Sequence, residues 1–336
     1  MVSAAPLPRF IQIEPVGQCN LRCRMCPIQF RAEGAPGQPR AFIDFELFVR
    51  LIEQFPEAEE LQLQGLGEPL LHPRFFDMVR HAAARGIRVS TNTNMTVMSE
   101  AGAEQCVRSG LQVMHVSLDG ASAETYQAIR LRARFERVLR NLRRLMQARI
   151  RLDSALPEVR LVAVVMRRNL SELPALVRLA HAEGIAALSV QHLCHDFGEA
   201  ALPRRYLPMR SFVDDETLLN DDPQRVRYYF EEARAVAREL NLALRLPNVQ
   251  PRDHPSGTSG RKRCDWPWRG AYISYDGKAM PCCMVATPDR IQFGDMAQNG
   301  VAPVWNNPEY DAFREQLASA TPPDVCRSCA VYRGTF

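Results

Sequence analysis

Three cysteines near the start of the chain have the spacing of a metal or cluster site. Cys19, Cys23 and Cys26 lie in the stretch "EPVGQCNLRCRMCPIQF". A structural zinc site needs a fourth Cys or His ligand nearby, but the next such residue along the chain is His72. Three thiolates on a four-iron cube leave one iron open to a chelating ligand. The trio therefore favours an open iron–sulfur cluster over a disulfide fragment or a zinc knuckle.

Four further cysteines form a second set near the end of the chain. Seventeen residues separate Cys264 from Cys282, and "CRSC" supplies Cys326 and Cys329. Two cysteines from a hairpin and two from a Cys-x-x-Cys pair suit either a zinc ribbon or a second cluster, and the spacing alone does not choose. The position of a glycine in the hairpin turn favours Cys282 over its neighbour Cys283 as the ligand.

The remaining cysteines include candidate catalytic groups. Cys283 is either a hydrogen-atom donor, because a thiol S–H bond is weak, or an unreactive side chain packed beside the second set. Cys194 and His195, together with His192, lie at the end of the sixth predicted strand. They either contact a substrate or are buried with their hydrogen bonds satisfied. Cys106 lies on the apolar side of a predicted helix and is predicted to belong to the core.

The composition argues against several protein classes. The 336 residues carry a formal net charge of only +4, with acids and bases interspersed, so charge alone implies neither nucleic acid nor an anionic membrane. An arginine-rich stretch over residues 130–151 has an apolar stripe at helical spacing, which predicts a solvated helix face. The sequence shows no signal peptide and no apolar run of membrane-spanning length. We therefore expect a cytoplasmic protein whose cysteines are metal ligands or redox groups.

Six apolar, β-rich runs alternate with amphipathic stretches in the first part of the chain. Strict alternation predicts parallel strands joined by crossover helices, and six units fall short of the eight that close a full barrel. The predicted fold class is α/β, with an open, partial six-unit (β/α)6 TIM-like barrel. Helices are predicted near residues 44–55, 74–85, 99–108, 122–149 and 171–183. The predicted strands are "FIQIEP", "ELQLQG", "IRVSTNTN", "LQVMHVSLDG", "VRLVAVVMRRN" and "ALSVQHLC".

Two boundaries separate this barrel, predicted over residues 1–195, from the rest of the chain. Residues 196–263 are predicted as a connecting segment. It has a long irregular stretch, the helix "PQRVRYYFEEARAVAREL", the strand "LALRLP" and the linker "DHPSGTSGRKR". Residues 264–336 are predicted as a small α+β domain, with a β-hairpin that turns at Asp276-Gly277 and a helix in "PEYDAFREQLASA".

The cysteine trio, placed after the first strand of a six-unit barrel, resembles the radical S-adenosylmethionine (SAM) superfamily. This resemblance covers residues 8–195. It implies that SAM chelates the open iron of a [4Fe–4S] cluster through its amino and carboxylate groups. It also implies that one electron from the cluster cleaves SAM to a 5'-deoxyadenosyl radical. A flavodoxin- or ferredoxin-type protein is the implied electron donor.

Two further segments carry the resemblance on one side of the predicted site. "GLGEP", at the end of the second strand, resembles the family's Gly-Gly-Glu-Pro segment, with Leu66 in place of a glycine. The resemblance implies that Gly67 and Glu68 receive the methionyl ammonium of SAM. Met25 occupies the position usually given to an aromatic residue near the adenine, and it is also apolar and polarizable.

The ends of the third and fourth strands resemble the family as well. "TNTN" resembles the polar patch that meets the ribose, which makes Asn92 and Asn94 candidates for that contact. "SLDG", followed by "ETYQAIR", resembles the segment that engages the methionyl carboxylate, here through Ser117 and Arg130. Each segment also has a simpler interpretation, because strand-to-helix junctions often carry Gly, Asn or Ser for turns and caps.

The second set of cysteines resembles the shortened SPASM module called a twitch domain. The resemblance implies that Cys264, Cys282, Cys326 and Cys329 hold one auxiliary [4Fe–4S] cluster. Because four thiolates close this cluster, its implied role is electron transfer or structural support rather than substrate binding.

The resemblance implies removal of a hydrogen atom from an unactivated C–H bond of a substrate. We expect a small polar metabolite, such as a sugar or an aminocyclitol, that is oxidised or epimerised at a hydroxyl- or amine-bearing carbon. The first alternative is a peptide-modifying enzyme that forms crosslinks. It is disfavoured here because only residues 1–9 precede the first predicted strand, too few for a fused leader-binding segment. The second alternative is a zinc or iron–sulfur scaffold protein without enzymatic activity.

Overall fold

The protein is built on a mostly parallel β-sheet. The computed structural model describes residues 5–31, 41–193, 197–251 and 264–335. The strands in these ranges are β1 (Phe10–Ile13), β2 (Arg22–Cys23), β3 (Glu60–Leu63), β4 (Arg88–Thr93), β5 (Val113–Ser117), β6 (Arg130–Leu131), β7 (Glu158–Val165), β8 (Ala187–His192), β9 (Ala243–Arg245), β10 (Gly270–Ile273) and β11 (Ala279–Met280).

Helices connect most of these strands and cover the outer face of the sheet. In the same ranges they are α1 (Phe45–Glu53), α2 (Phe75–Ala84), α3 (Glu100–Arg108), α4 (Ala123–Ile129), α5 (Phe135–Arg151), α6 (Leu173–Ala182), α7 (Leu207–Glu216), α8 (Pro223–Glu239), α9 (Trp266–Arg269), α10 (Met296–Asn299), α11 (Val301–Trp305), α12 (Pro308–Ala318) and α13 (Asp324–Arg327). None of the helices in the described part of the chain is long and apolar enough to cross a membrane.

The six predicted barrel strands are confirmed as β1, β3, β4, β5, β7 and β8. They lie side by side in that order, and every neighbouring pair among them is parallel. Along β3, β4, β5 and β8, almost fully buried side chains alternate with more exposed ones, as expected of strands whose outer face is covered by helices. Because the strands are parallel, the loops that leave their carboxyl ends meet at one edge of the sheet. This edge carries the predicted site segments.

Two further elements extend the barrel sheet at its edges. β9 pairs in parallel with β8, and β10 pairs in parallel with β1. β10 also forms the predicted hairpin with β11, with a turn at Gly277. The C-terminal domain therefore continues the sheet beside the first strand, which brings its cysteines close to the cysteine trio.

The prediction of one helix over residues 122–149 was wrong. The chain forms α4 and α5 instead, separated by β6, which pairs with β2 in a short antiparallel ladder. Residue Arg132, just after β6, has φ 72° and so turns the chain between the two helices. Helix propensity in this arginine-rich stretch is overridden by pairing with a segment more than a hundred residues away.

The described part of the connecting segment is more regular than predicted. Residues 204–206 form a 3-10 turn that leads into α7, where the sequence shows little periodicity. Tyr206, Met209 and Val213 are buried against Phe197 and other apolar side chains of the barrel mouth. This packing, rather than local propensity, stabilises the helix.

The core contains the apolar residues that the sequence indicated. Phe135, Val138, Leu142 and Leu145 are buried along one face of α5, so its arginines point outward. The prediction that Cys106 belongs to the core is confirmed, since this side chain is fully buried on α3.

The turn at Gly277 offers a test of the hairpin. Its φ is 88°, and an added Cβ would overlap the side chain of Ala297. We expect Gly277→Ala to destabilise the reconstituted protein by clearly more than the ~1–2 kcal/mol that a left-handed conformation alone costs an L-residue. Gly86→Ala is the matched control, because Gly86 has φ 78° but open space around its Cα. Thermal unfolding checks this; equal losses for both variants would contradict the packing.

Candidate functional site

The cysteine trio lies in the loop after β1, on the wall of a cleft at the carboxyl edge of the sheet. Cys19, Cys23 and Cys26 all line this cleft. Cys26 donates its backbone N–H to Cys23 O at 3.0 Å, and Cys23 is fixed by its place in the ladder with β6. Burial raises the pKa of Cys19 and Cys26 to about 12 and also raises the pKa of Cys23. A bound metal or cluster would offset the cost of holding three thiolates here.

A fully buried carboxylate fixes both ends of this loop. Glu14, directly after β1, accepts hydrogen bonds at 3.0 Å from both terminal nitrogens of Arg31. The same carboxylate accepts the backbone N–H of Leu66 at 3.0 Å. Both side chains of the ion pair are 0% exposed. Gly65 has no room for a Cβ, because Glu14 occupies that space. The end of β1, the end of the cysteine loop and the "GLGEP" loop are therefore joined at one point.

Glu68 is the second buried carboxylate of the cleft. An added Cβ on the preceding Gly67 would overlap Val16 O, so only glycine allows this close approach to the cysteine loop. Glu68 accepts hydrogen bonds from Thr93 Oγ1 at 2.6 Å and from the backbone N–H of Asn94 at 2.7 Å. Burial raises the pKa of Glu68, while these two bonds act in the opposite direction. The carboxylate thus lies between the ends of β3 and β4, as expected for a group that receives an ammonium.

Asn92, near the end of β4, and Asn94, directly after it, have different surroundings. Asn94 Nδ2 lies 3.6 Å from Cys19 Sγ and donates to Asn20 Oδ1 at 3.0 Å, so this amide supports the cysteine loop. Asn92 also lines the cleft, and its buried Oδ1 has no hydrogen-bond partner among the described residues. Of the two residues predicted to contact the ribose, Asn92 is therefore the one whose side-chain oxygen is available to accept a hydrogen bond.

Arg130 is held against the cysteine trio. Its Nε donates to Asp119 Oδ2 at 2.6 Å, and its Nη1 lies 4.0 Å from Cys23 Sγ. Asp119 is fully buried and also accepts the backbone N–H of Val164. Ser117, at the end of β5, lines the same cleft. A guanidinium fixed beside the cluster loop suits the predicted contact with a carboxylate.

The cleft brings together every described residue that the sequence nominated for SAM. It encloses about 970 Å³, including the part that is open to solvent. Several other residues that line the cleft were not predicted. Those that reach it from distant parts of the chain have no nearby motif in the sequence that would identify them. The nominated residues are Met25, Gly67, Glu68, Asn92, Asn94, Ser117 and Arg130, and the missed ones include Leu21, Gln64, Thr93, Val164, Phe197 and Met284. The contacts of the nominated residues with SAM stay a prediction.

Among the candidate catalytic residues, only Cys283 is described and also lines the cleft. His192 is 2% exposed and does not line the cleft. Its Nε2 lies 2.7 Å from Asn248 O, while its buried Nδ1 has no hydrogen-bond partner among the described residues, so this side chain is buried with its hydrogen bonds only partly satisfied. Cys194 and His195 lie outside the described residues.

The second set of cysteines surrounds a cavity of about 370 Å³, including the part that is open to solvent. Cys264, Cys282, Cys326 and Cys329 line it, together with apolar side chains such as Trp266 and Phe313. Cys282 faces this cavity and Cys283 faces the cleft, while Met284 lines both. Three consecutive residues therefore line one or both of the two sites, and Met284 contacts both.

Both donor sets fit the cofactors that the sequence implied. Three thiols share an open cleft with a buried carboxylate, a guanidinium and an orphaned amide oxygen, which suits a cluster with one iron left for a chelating ligand. Four thiols share an apolar cavity, which suits a closed cluster shielded from water.

Substitution of Glu68 tests whether its negative charge contributes to SAM binding. In Glu68→Gln, the charge is lost but the shape is kept, and we expect the Kd for SAM to rise at least about 10-fold, since hydrogen bonds to charged groups contribute ~1.5–3 kcal/mol. Isothermal titration of the anaerobically reconstituted protein measures this. Glu60→Gln, on the exposed end of β3, is the control and should bind SAM normally. An unchanged Kd in Glu68→Gln would contradict the assigned role.

Substitution of Cys282 and of Cys283, one at a time, tests which of them is a ligand of the auxiliary cluster. Cys282→Ala should lose one cluster, so that iron falls from about eight to about four atoms per chain. Cys283→Ala should keep both clusters, because its side chain faces the cleft. Iron and sulfide analysis after anaerobic reconstitution distinguishes the two. The reverse pattern would make Cys283 the ligand.

Comparison with known proteins agrees with this architecture. Residues 13–180 match the family described as the radical SAM superfamily, and residues 264–330 match the iron–sulfur cluster-binding domain SPASM. A cofactor-modifying protein for the tungsten-containing aldehyde ferredoxin oxidoreductase of Pyrococcus furiosus is 24% identical, over 96% of this chain and 87% of its own length. The PqqA peptide cyclase of Xanthomonas campestris is 26% identical, over 98% of this chain and 81% of its own length.

Solved structures show the same fold. Streptococcus suis SuiB, bound to its precursor peptide SuiA, superimposes with a TM-score of 0.68 at 16% identity, over 98% of this chain and 71% of SuiB. The cofactors are those of the matched domains: SAM and a [4Fe–4S] cluster in the barrel, and an auxiliary iron–sulfur cluster in the C-terminal domain. The chain therefore belongs to the radical SAM superfamily and carries a C-terminal SPASM domain.

Proposed function

We propose that this radical SAM enzyme modifies a peptide, beginning at an unactivated C–H bond of one residue and ending in a crosslink. The observation that carries the proposal is the alignment with curated peptide cyclases over nearly the whole chain. The alignments span 98% and 96% of this chain, so they extend well beyond the barrel that all members of the superfamily share.

The shape of the cleft supports a peptide side chain as the reacting group. Leu66, Val164, Phe197 and Met284 add apolar surface to a cleft whose other wall carries Glu68 and the remaining polar residues nominated for SAM. The cleft is open to solvent, so that a side chain can enter while the peptide backbone stays outside. A small, strongly polar sugar would leave this apolar surface without a complementary partner.

The chain's own residues have assigned tasks in this proposal. Cys19, Cys23 and Cys26 hold the open cluster, and Glu68 and Arg130 orient the two charged ends of the methionyl group. Asn92 accepts a hydrogen bond from the ribose. When bound, the cluster and SAM supply a radical that removes a hydrogen atom from carbon. The apolar residues keep water away from the substrate carbon.

The comparisons favour the peptide alternative over the sugar or aminocyclitol that the sequence analysis put first. The aligned relatives include peptide cyclases, and oxidation or epimerisation of a hydroxyl-bearing carbon gains no support from them. The thiol of Cys283 faces the cleft, and this placement alone does not distinguish hydrogen return from a packing role.

A substrate panel tests the proposal. The reconstituted enzyme is incubated anaerobically with SAM, a reductant and each short peptide encoded beside its gene, and in parallel with a set of sugars and aminocyclitols. We expect one peptide to accelerate the release of 5'-deoxyadenosine and to lose two hydrogen atoms by mass spectrometry. The control variant lacks the trio (Cys19→Ala, Cys23→Ala and Cys26→Ala) and should leave the peptide unchanged. Acceleration by an aminocyclitol and by no peptide would overturn the proposal.

A further inference from the structure

Phe197 forms part of the cleft wall, and its ring is held from the C-terminal domain. The side chain is 3% exposed and lines the cleft. The guanidinium carbon of Arg290 lies 5.0 Å from the centroid of the Phe197 ring, within the range of a cation–π contact. The ring also stacks on that of Tyr206, with centroids 6.1 Å apart, and Tyr206 donates its hydroxyl to Asp289 Oδ1 at 3.0 Å. Two adjacent residues of the C-terminal domain therefore fix the surroundings of this ring.

Glu199, two residues after Phe197, forms a buried ion pair with the same arginine. Arg290 Nε donates to Glu199 Oε1 at 2.6 Å, and the two side chains are 1% and 5% exposed. The other oxygen, Glu199 Oε2, is buried without a hydrogen-bond partner among the described residues. Arg210 donates to the backbone carbonyls of Phe197 and Glu199, at 2.5 and 2.7 Å. Loss of the Arg290 charge would therefore leave a buried carboxylate without compensation, which is the costly case for a buried pair.

The backbone of the same segment is bonded to the loop that carries the last two cysteines of the chain. Gly198 donates its backbone N–H to Ser328 Oγ at 3.1 Å, and Ala200 donates its N–H to Asp324 Oδ2 at 2.7 Å. Ser328 lies inside the stretch "CRSC". An added Cβ on Gly198 would overlap the side chain of Ser328, so glycine allows this close approach. Residues 197–200 are thus bound to the C-terminal domain through both their backbone and their side chains.

We propose that Phe197 is a specificity-determining residue of the cleft and that Glu199 and Arg290 are positioning residues that hold its ring there. An aromatic ring fixed at the cleft wall gives an apolar group of the substrate a complementary surface. Without the ion pair, the ring gains further orientations, and the cost of ordering it reduces the affinity for the substrate. The inference requires that Phe197 faces the substrate, and it holds for a peptide and for a small metabolite alike.

A fluorine label in place of the Phe197 ring tests the positioning without any substrate. The ring is replaced by para-fluorophenylalanine in the full reconstituted chain, and the fluorine NMR spectrum is recorded anaerobically with and without SAM. The labelled protein should give one resonance that shifts when SAM is added. Arg290→Gln should split or broaden this resonance, Arg290→Lys should keep it single, and the matched control Arg234→Gln, in an exposed ion pair of α8, should not change it. A resonance that does not respond to SAM, or that is the same in Arg290→Gln as in the control, would overturn the proposal.

Binding measurements separate positioning from a general loss of structure. Arg290→Gln, and Phe197→Ala as a second variant that leaves the ion pair intact, should keep their iron content and bind SAM with a Kd within about 2-fold of the unsubstituted protein. Both should raise, by at least about 10-fold, the KM of the peptide or aminocyclitol that accelerates the release of 5'-deoxyadenosine in the substrate panel. Because either compound serves, failure of the peptide proposal does not decide this test. Loss of SAM binding along with substrate binding, or an unchanged KM in either variant, would overturn the inference.

Discussion

The buried carboxylate of Glu14 is the interaction on which the radical-generating cleft depends. Its three hydrogen bonds join the end of β1, Arg31 beyond the cysteine trio, and the backbone of Leu66. Loss of one partner from a buried ion pair typically costs about 3–5 kcal/mol, because the other charge is left without compensation. Glu68 plays a similar part on the wall of the cleft, where it joins the ends of β3 and β4. Two carboxylates thus hold three loops whose sequences alone do not specify their relative positions.

The short run Cys282, Cys283 and Met284 gives the two sites a common wall. Because β10 pairs with β1, the C-terminal domain is anchored to the strand that carries the cysteine trio. Consecutive side chains then point to opposite sides, one into the auxiliary cavity and one into the cleft. This arrangement places a closed set of four thiols beside an open set of three with no intervening domain. Changes at the auxiliary site are therefore expected to reach the cleft through backbone shared by both.

Much of the fold and of the site could be predicted from the sequence, for identifiable reasons. The barrel strands are short, apolar and separated by amphipathic stretches, so local periodicity specifies them. Most residues nominated for SAM lie together because they are at or just after the carboxyl ends of barrel strands, and parallel strands gather those ends. Met25 and Arg130 lie further along their loops, near the pairing of β2 with β6. The break between α4 and α5 could not be predicted, since it depends on pairing of β6 with β2. Phe197 and Met284 reach the cleft from distant segments, without a local signal. The sequence did not indicate the substrate class that the comparisons favour, because the recognisable residues are those nominated for the cofactors, which the whole superfamily shares.

The central claim is that one cluster is open and binds SAM while the other is closed. Electron paramagnetic resonance of the reduced protein, recorded with and without SAM, tests it most directly when each cluster is observed alone. A variant with Cys264, Cys326 and Cys329 replaced by Ala leaves the trio's cluster, and a variant with the trio replaced leaves the auxiliary cluster. We predict that SAM changes the signal of the trio's cluster and leaves the auxiliary signal unaltered. A SAM-induced change in the auxiliary signal, or none in the trio's, would contradict the account.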